Sequence, residues 1–159
     1  MEFNGQKGRK GVKVHTAVSQ EGLPLSILIG SGNQHDSQKF KCVMESIRIH
    51  IIKGRPRRRP TELNADSAYD NKTIRSYLKR RGIKCNIPLN NRNRKRPKRG
   101  RPIRFDDQAY RKRGCVERFF GWLKTGFRRL ATRYERLNSC FMGLLNIAAF
   151  LMYWRKIYA

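Results

Sequence analysis

Acidic side chains are scarce in this sequence. It has 11 Asp and Glu against 37 Lys and Arg, which gives a formal net charge of +26 over 159 residues. Such an excess opposes compaction by self-repulsion, so a polyanionic partner is expected. Nucleic acid is the first candidate, because neutralised phosphates release counterions. A membrane surface is the second, although no lipidation signal or basic amphipathic anchor stands out. A structural RNA-binding protein fits the charge equally well.

Paired cysteines and long hydrophobic runs are also lacking. Cys42, Cys85, Cys115 and Cys140 form no Cys-x-x-Cys pair, which argues against a structural zinc site. No secretory signal is visible, so reduced thiols in a cytoplasm are expected. The longest uncharged run, residues 140–154, is short for a membrane span and is typical of a buried helix.

The length of 159 residues is enough for one domain with its own core, over residues 1–159. Residues 1–11 are polar, basic and rich in glycine, which is typical of a loop or of the end of a longer segment. The predicted elements, in chain order, are strands over 12–18 and 23–29, a helix over about 37–51, a strand over 61–65, a helix ending near Arg81, a strand over 83–89, a long helix over about 107–136 and a helix over about 139–157. This order indicates a mixed α/β sheet covered by helices. Residues 90–104 are strongly basic without apolar period and are interpreted as a mobile insert.

Several polar residues are assigned to helix ends. Asp36 or Ser37 is predicted to cap the first helix, with His35 in the preceding loop. Asp70 or Asn71 is predicted to cap the second. Gly82 is the stop signal of that second helix, and the pair Asp106-Asp107 is assigned to the start of the long helix.

Asp66 is the first candidate for chemistry. It lies where a predicted strand ends and a loop begins, and ligands of open α/β sheets collect at such ends. The alternative is that Asp66 only satisfies backbone donors of the turn.

Glu117 is the second candidate. At about 100° per residue, Tyr110, Arg113 and Lys124 fall within about 40° of Glu117 on one stripe of the predicted helix. Glycines 114 and 121 flank that stripe, although each costs a helix interior about 1 kcal/mol relative to alanine. Access for a metal or a DNA backbone explains them. A solvated face with an Arg113–Glu117 pair, worth about 0.3–0.5 kcal/mol, is the alternative.

The spacing Tyr110-x2-Arg113-x3-Glu117-x6-Lys124 resembles the Tyr-Arg-Glu-Lys signature of DDE transposases from insertion-sequence groups four and five. Residues 115–124 resemble the family's helix that carries the glutamate, and residues 65–70 resemble its strand end that carries the second aspartate. Residues 5–36 resemble the segment between the first and second acids. The resemblance therefore covers nearly the whole chain.

This resemblance implies an RNase-H-like fold and phosphoryl transfer on DNA. Asp66 and Glu117 would be catalytic metal ligands for two divalent cations, Mg²⁺ or Mn²⁺. Arg113 and Lys124 would contact phosphate, and Tyr110 would stack on or position a base or phosphate. The partners would be the element ends and the target DNA, near the bacterial nucleoid, and a homo-oligomer is compatible with this.

One departure from the family concerns the first catalytic aspartate, which the family places on a strand before the hairpin. Only residues 1–10 precede the hairpin here, and Glu2 is their only acid. The first strand and the first aspartate are therefore expected to be missing, and the isolated chain is expected to be inactive. The chain could be the downstream frame of a two-frame element, which an upstream transposase segment would complete, or a decayed copy. The alternative function is a non-catalytic DNA-binding product or an inhibitor of the full-length transposase.

Overall fold

The structure is a computed structural model that describes residues 2–4, 9–50, 53–90 and 103–158. The basic segment 91–102, which holds most of the predicted mobile insert, lies outside these ranges. The elements of the described residues are strands β1 (Glu2–Asn4), β2 (Arg9–Val18), β3 (Pro24–Ser31), β4 (Glu62–Asn64) and β5 (Lys84–Asn86), and helices α1 (Asp36–Glu45), α2 (Lys72–Arg80), α3 (Asp107–Arg111), α4 (Gly114–Gly126), α5 (Arg128–Ala131) and α6 (Asn138–Tyr158).

The predicted hairpin is present as β2 and β3. The two strands pair antiparallel, with Val14 opposite Ile29, and Gly22 makes the turn with a φ of 91°. A positive φ at this position suits glycine, which has no Cβ to clash. The start of β2 also pairs with β1, so the loop predicted over residues 1–11 is wrong for the described strand residues within it.

The hairpin separates two hydrophobic cores. Along β2, Val12, Val14 and Val18 contact the core built by α4 and α6, whereas Ala17 contacts the core built by α1 and α2. This follows from the alternation of side chains along a strand. The first core is formed by Phe40, Met44, Ile47, Ile74, Tyr77, Leu78, Ile83 and Ile87. The second is formed by Phe119, Leu123, Phe141, Leu145 and Ala148.

The mixed α/β class predicted from the sequence is confirmed, but the strands form two sheets. Within the described ranges, β1, β2 and β3 make an antiparallel sheet, and β4 pairs parallel with β5 in a second one. A single mixed sheet would require pairing between the two groups, and no described strand supplies it. The RNase-H-like arrangement stays a prediction.

The single long helix predicted over 107–136 is wrong, because the chain forms α3, α4 and α5 there. Near the first break the amides of Lys112 and Arg113 donate to carbonyls only three residues back, as in a 3₁₀ turn. The second break lies at Phe127, whose φ of −130° and ψ of 77° are not helical. Its ring packs 5.1 Å from that of Trp122, so leaving the helix buries an aromatic contact.

Helix α1 also ends earlier than predicted, at Glu45 rather than near residue 51. The chain turns at Ser46, and Ile49 then forms an isolated bridge with Arg57 of the basic loop. The predicted strand 83–89 is likewise reduced to β5, while α6 agrees with the prediction for 139–157. No helix of the described ranges is long and apolar enough to cross a membrane.

The N-caps of two of the three helices with a predicted cap agree with the sequence prediction. Asn71 caps α2 and Asp106 caps α3, each by accepting from a backbone amide of the first turn. The cap of α1, however, is His35, whose ring accepts from the amide of Ser37. The prediction that Asp36 or Ser37 caps this helix is wrong, because the Asp36 carboxylate is directed instead towards β2.

Candidate functional site

Asp66 follows β4 and begins a short 3₁₀ helix, Ser67–Tyr69. Its Oδ1 accepts from the amide of Ser67 at 2.6 Å and from the Ser67 hydroxyl at 3.2 Å. The alternative interpretation, in which Asp66 satisfies donors of the turn, therefore describes Oδ1 of the carboxylate. The other oxygen, Oδ2, faces Arg113, and the side chain is 51% exposed.

Glu117 lies in the first turn of α4, where the helix dipole favours an acid. Its side chain is 78% exposed, and Oε1 lies 3.7 Å from Nη2 of Arg113. The alternative interpretation, an Arg113–Glu117 pair on a solvated helix face, therefore also describes this geometry. Such an exposed i, i+4 pair contributes little stability.

Arg113 brings the two acids together. Its Nη1 lies 3.6 Å from Oδ2 of Asp66, while Nη2 contacts Glu117. One carboxylate comes from the end of a strand and the other from a helix about fifty residues further along the chain. The structure therefore places both predicted acids at one guanidinium.

Tyr110 and Lys124 differ in their distance from these acids. Although Tyr110 lies on α3, its ring centroid is 5.5 Å from Cζ of Arg113, a cation–π distance. Lys124 is exposed in the last turn of α4, two helical turns beyond Glu117. At 1.5 Å per residue this displacement is about 10 Å along the axis. Tyr110 is therefore adjacent to the acids, and Lys124 is not.

The glycines of α4 leave its outer face open. A Cβ added at Gly114 or Gly121 would meet no atom within 4 Å. The packing of the chain therefore gives no reason for glycine at either position. This leaves access for a ligand along the face of Glu117 as a physical explanation.

A buried amide that the sequence analysis missed holds α3 beside β4. Asn86 is 1% exposed in β5, and its Nδ2 donates to Oδ1 of Asn64 and to the carbonyl of Asp106. Its Oδ1 accepts from the Asp106 amide at 2.9 Å. Asn86 is therefore a positioning residue, because Asp106 begins the segment that leads to Arg113. An uncharged polar residue between Cys85 and Ile87 in the predicted strand was the available signal.

Asp36 is a third acid on the same side of the molecule. Its Oδ1 lies 3.3 Å from Nζ of Lys13 and 3.8 Å from Nδ1 of His15. Burial raises the pKa of Tyr69 to about 12, and the nearby charges of Asp36 and Asp66 add to this shift. The sequence analysis assigned Asp36 to a cap and so missed its place here. Asp70, by contrast, is 2% exposed and pairs with Arg75 at 2.7 Å.

A cleft of about 700 Å³ extends from Asp66 between the two sheets. Its walls are β2, α1, β4 and the start of α4. Most of its side chains are apolar, and its charged residues include Asp36, Asp66 and Arg113. The apolar lining includes Leu25, Phe40, Val43, Met44, Leu63 and Val116.

The carboxylate oxygens at this site suit a hard divalent cation, since Mg²⁺ prefers such ligands. Asp66 and Glu117 present such oxygens at a solvent-exposed position. However, no group of three His, Cys, Asp or Glu side chains that could hold a metal ion occurs among residues 2–4, 9–50, 53–90 and 103–158.

Comparisons with known proteins identify the class. The profile of the family described as "Transposase DDE domain" matches residues 2–153. The chain therefore belongs to the DDE transposase family, and the resemblance inferred from its motifs is confirmed.

Two relatives are named after insertion sequences. A Burkholderia cepacia protein, described as a transposase for insertion sequence element IS402, is 28% identical over 152 residues, 95% of this chain and 66% of the relative. A Brucella ovis protein, described as a transposase for element IS6501, is 28% identical over 145 residues, 90% of this chain and 98% of the relative. The chain thus spans just under two thirds of the Burkholderia protein and nearly all of the Brucella protein. No solved structure matches significantly.

Proposed function

We propose that this chain carries part of the catalytic site of an insertion-sequence transposase, which cleaves and joins DNA strands by phosphoryl transfer. The observation that supports it is the contact of Asp66 and Glu117 with the same Arg113 guanidinium. These two acids come from separate elements of a chain in this family, and they meet on an exposed surface of a strongly basic protein.

Each residue of the site has a role that its chemistry supports. Asp66 and Glu117 would hold divalent cations, Mg²⁺ or Mn²⁺, which supply activation of a nucleophile and stabilisation of the leaving oxygen. Arg113 would donate two parallel hydrogen bonds to a DNA phosphate. Tyr110 orients that guanidinium through its ring. Lys124 would contact a phosphate further along the DNA strand.

The proposed site needs a further acid. Two metal ions in such enzymes lie about 3.5–4 Å apart and are held by several carboxylates. The described residues offer no group of three candidate ligands. We therefore propose that this chain alone does not cleave DNA, and that the third carboxylate comes from a different segment.

Binding of Mn²⁺ alone tests the metal site without requiring activity. The paramagnetic ion is expected to broaden the amide NMR signals around Asp66 and Glu117 before other signals. Asp66→Asn or Glu117→Gln should remove this selectivity. Asp107→Asn is the matched control, because Asp107 is an exposed acid paired with an arginine at i+4. Uniform broadening over all exposed acids would contradict the assignment.

A non-catalytic DNA-binding product, which inhibits the full-length transposase, is the second candidate. The incomplete set of acids favours it. A strand-cleavage assay on DNA with the element's ends separates the two candidates. Cleavage after addition of a segment that carries an aspartate, and its loss with Glu117→Gln, supports the enzyme. Binding and inhibition without such cleavage support the second candidate.

A further inference from the structure

Helix α6 has two apolar faces, and the described part of the chain covers one of them. The covered face holds Phe141, Leu145 and Ala148 of the second core. The opposite face, called here the apolar stripe, carries six large side chains that are 37% to 70% exposed, namely Ile147, Phe150, Leu151, Trp154, Ile157 and Tyr158. At about 100° per residue these six span about 120° of the helix, centred about 150° from the covered face. A solvated helix face is normally polar, so the apolar stripe calls for a partner.

The area of the apolar stripe is compatible with a protein interface. Large aromatic side chains bury about 150–250 Å² each, so three rings and three aliphatic side chains at these exposures present about 600 Å². This is the upper end of the patches that monomeric proteins expose. Two such faces in contact would bury about 1,200 Å², the lower limit for specific and stable interfaces. A second copy of the same chain supplies the matching face through a two-fold axis.

The distribution of charge favours a second copy over nucleic acid at this surface. The 21 residues of α6 include only two charged side chains, Arg155 and Lys156, whereas 30% of the whole chain is charged. A surface with so few cations gives DNA phosphates little to bind. Two chains of formal charge +26 repel each other least where the contact itself is uncharged. The undescribed segments do not suit the stripe, since residues 91–102 are strongly basic and residues 5–8 and 51–52 are short.

From these observations we infer that two copies of this chain pair through the apolar stripes of their α6 helices, with the two helices antiparallel. Ile147, Phe150, Trp154 and Ile157 follow the alternating spacing of three and four residues along which helices pack in a seam. A register centred between Phe150 and Leu151 places Ile147 opposite the partner's Trp154. Every large side chain of the stripe then lies within the contact. The inference does not depend on the proposed function.

The antiparallel orientation follows from the basic end of α6. In a parallel pair Arg155 and Lys156 of both copies would lie side by side. In the antiparallel pair the two Arg155 residues lie about nine positions apart along the axis, or about 14 Å at 1.5 Å per residue. This separation exceeds the Debye length of about 8 Å at physiological ionic strength, so the repulsion between them is screened.

Sedimentation equilibrium of the full chain, freed of nucleic acid by nuclease and high salt, measures the pairing. We expect a dimer with a dissociation constant of about 1–100 µM, because the buried area is at the lower limit for a stable interface. Added salt should strengthen this dimer, since it screens the repulsion between the copies. Bridging of two chains by residual DNA would show the opposite dependence on salt.

Phe150→Ser should weaken the dimer by at least about tenfold, because it removes a ring from the centre of the interface. Tyr134→Ser is the matched control, since it removes a ring that is 70% exposed between α5 and α6. Circular dichroism and urea unfolding establish that both variants are folded. A monomer at all concentrations, or equal effects of both substitutions, overturns the inference. Binding of such a monomer to vesicles of anionic lipid would assign the stripe to a membrane surface instead.

Disulfide formation tests the orientation in a Cys42→Ser background, because Cys42 and Cys140 are both exposed. Phe150→Cys combined with Cys140→Ser should cross-link the dimer on mild oxidation, since positions 150 of the two copies meet at the centre within disulfide reach. The native Cys140 should not cross-link when Phe150 is intact, because the two copies of it lie about 30 Å apart along the axis. Cross-linking through Cys140 alone overturns the antiparallel pairing.

Discussion

The Oδ2 atom of Asp66 lies 3.6 Å from the guanidinium of Arg113. The arginine also contacts Glu117, so one cation balances two acids at the centre of the candidate site. A divalent cation would compete with Arg113 for these oxygens, and a DNA phosphate would compete with the acids for Arg113. Binding of DNA and of metal should therefore favour one another.

Removing the arginine should raise metal affinity. We expect Arg113→Ala to bind Mn²⁺ about two- to tenfold more tightly in the absence of DNA, since a pair of charges about 4 Å apart near a surface is worth on the order of 1 kcal/mol. Electron paramagnetic resonance of free Mn²⁺ measures the change. Arg111→Ala removes an equal charge from an i, i+4 pair with Asp107 and should have a smaller effect. Equal effects of both substitutions would contradict the site.

The glycines of the helices offer a test of ligand access. Gly121→Ala and Gly143→Ala each place a methyl group in open space, and each should raise the free energy of unfolding by up to about 1 kcal/mol. Only Gly121→Ala should weaken DNA binding, because that glycine lies on the same helix as Glu117. Urea unfolding and fluorescence anisotropy with labelled DNA measure the two effects. Unchanged DNA affinity would show that this face does not approach the ligand.

Both cores should be sensitive to truncation. Leu78 and Leu145 are fully buried in the first and second core, and substitution of either by alanine should cost about 2–5 kcal/mol. Leu137→Ala is the matched control, because this leucine is 64% exposed. Its effect should be below about 0.5 kcal/mol. Chemical denaturation gives all three values.

Binding to duplex DNA should weaken steeply with salt. With about six phosphate contacts, the slope of log K against log salt would be about −5. Arg55→Ala, in the basic loop 53–59, should reduce the slope by about 1 if this exposed arginine contacts phosphate. Arg129→Ala should change it less, since Arg129 is already bonded to Glu135 at 2.7 Å. Affinity that does not depend on salt would refute an electrostatic interface.

Stability should fall as the pH is lowered below about 6.5. Burial lowers the pKa of His15 below its ordinary value of 6.5, although Asp36 opposes the shift. The unfolded chain then binds more protons than the folded chain, so acid favours unfolding until the pH passes below the folded pKa. Urea unfolding at several pH values should show this dependence, and His15→Gln should reduce it. His50→Gln removes an exposed histidine and should retain it.

The sequence predicted features that depend on neighbouring residues. The end of β4 just before Asp66, the cap at Asn71 and the stop at Gly82 follow from strand alternation and cap chemistry over a few positions. The family motif also located both acids that meet at Arg113. Local patterns sufficed here because each feature is determined by backbone groups close in the chain.

Other features depend on contacts between distant residues. The break at Phe127 could not be predicted, because the ring of Phe127 leaves the helix to pack on Trp122. The role of Asp36 depends on Lys13 and His15, which lie on another element. Asn86 likewise joins β5 to the start of α3.

Strand β2 contributes side chains to both hydrophobic cores, since Val14 faces one and Ala17 faces the other. Loss of either core would expose one whole face of the same hairpin to solvent. The two cores therefore cannot melt independently, and thermal unfolding should be a single cooperative transition with equal calorimetric and van't Hoff enthalpies. A chain of this size with two cores is thus expected to behave as one folding unit, because a single strand belongs to both.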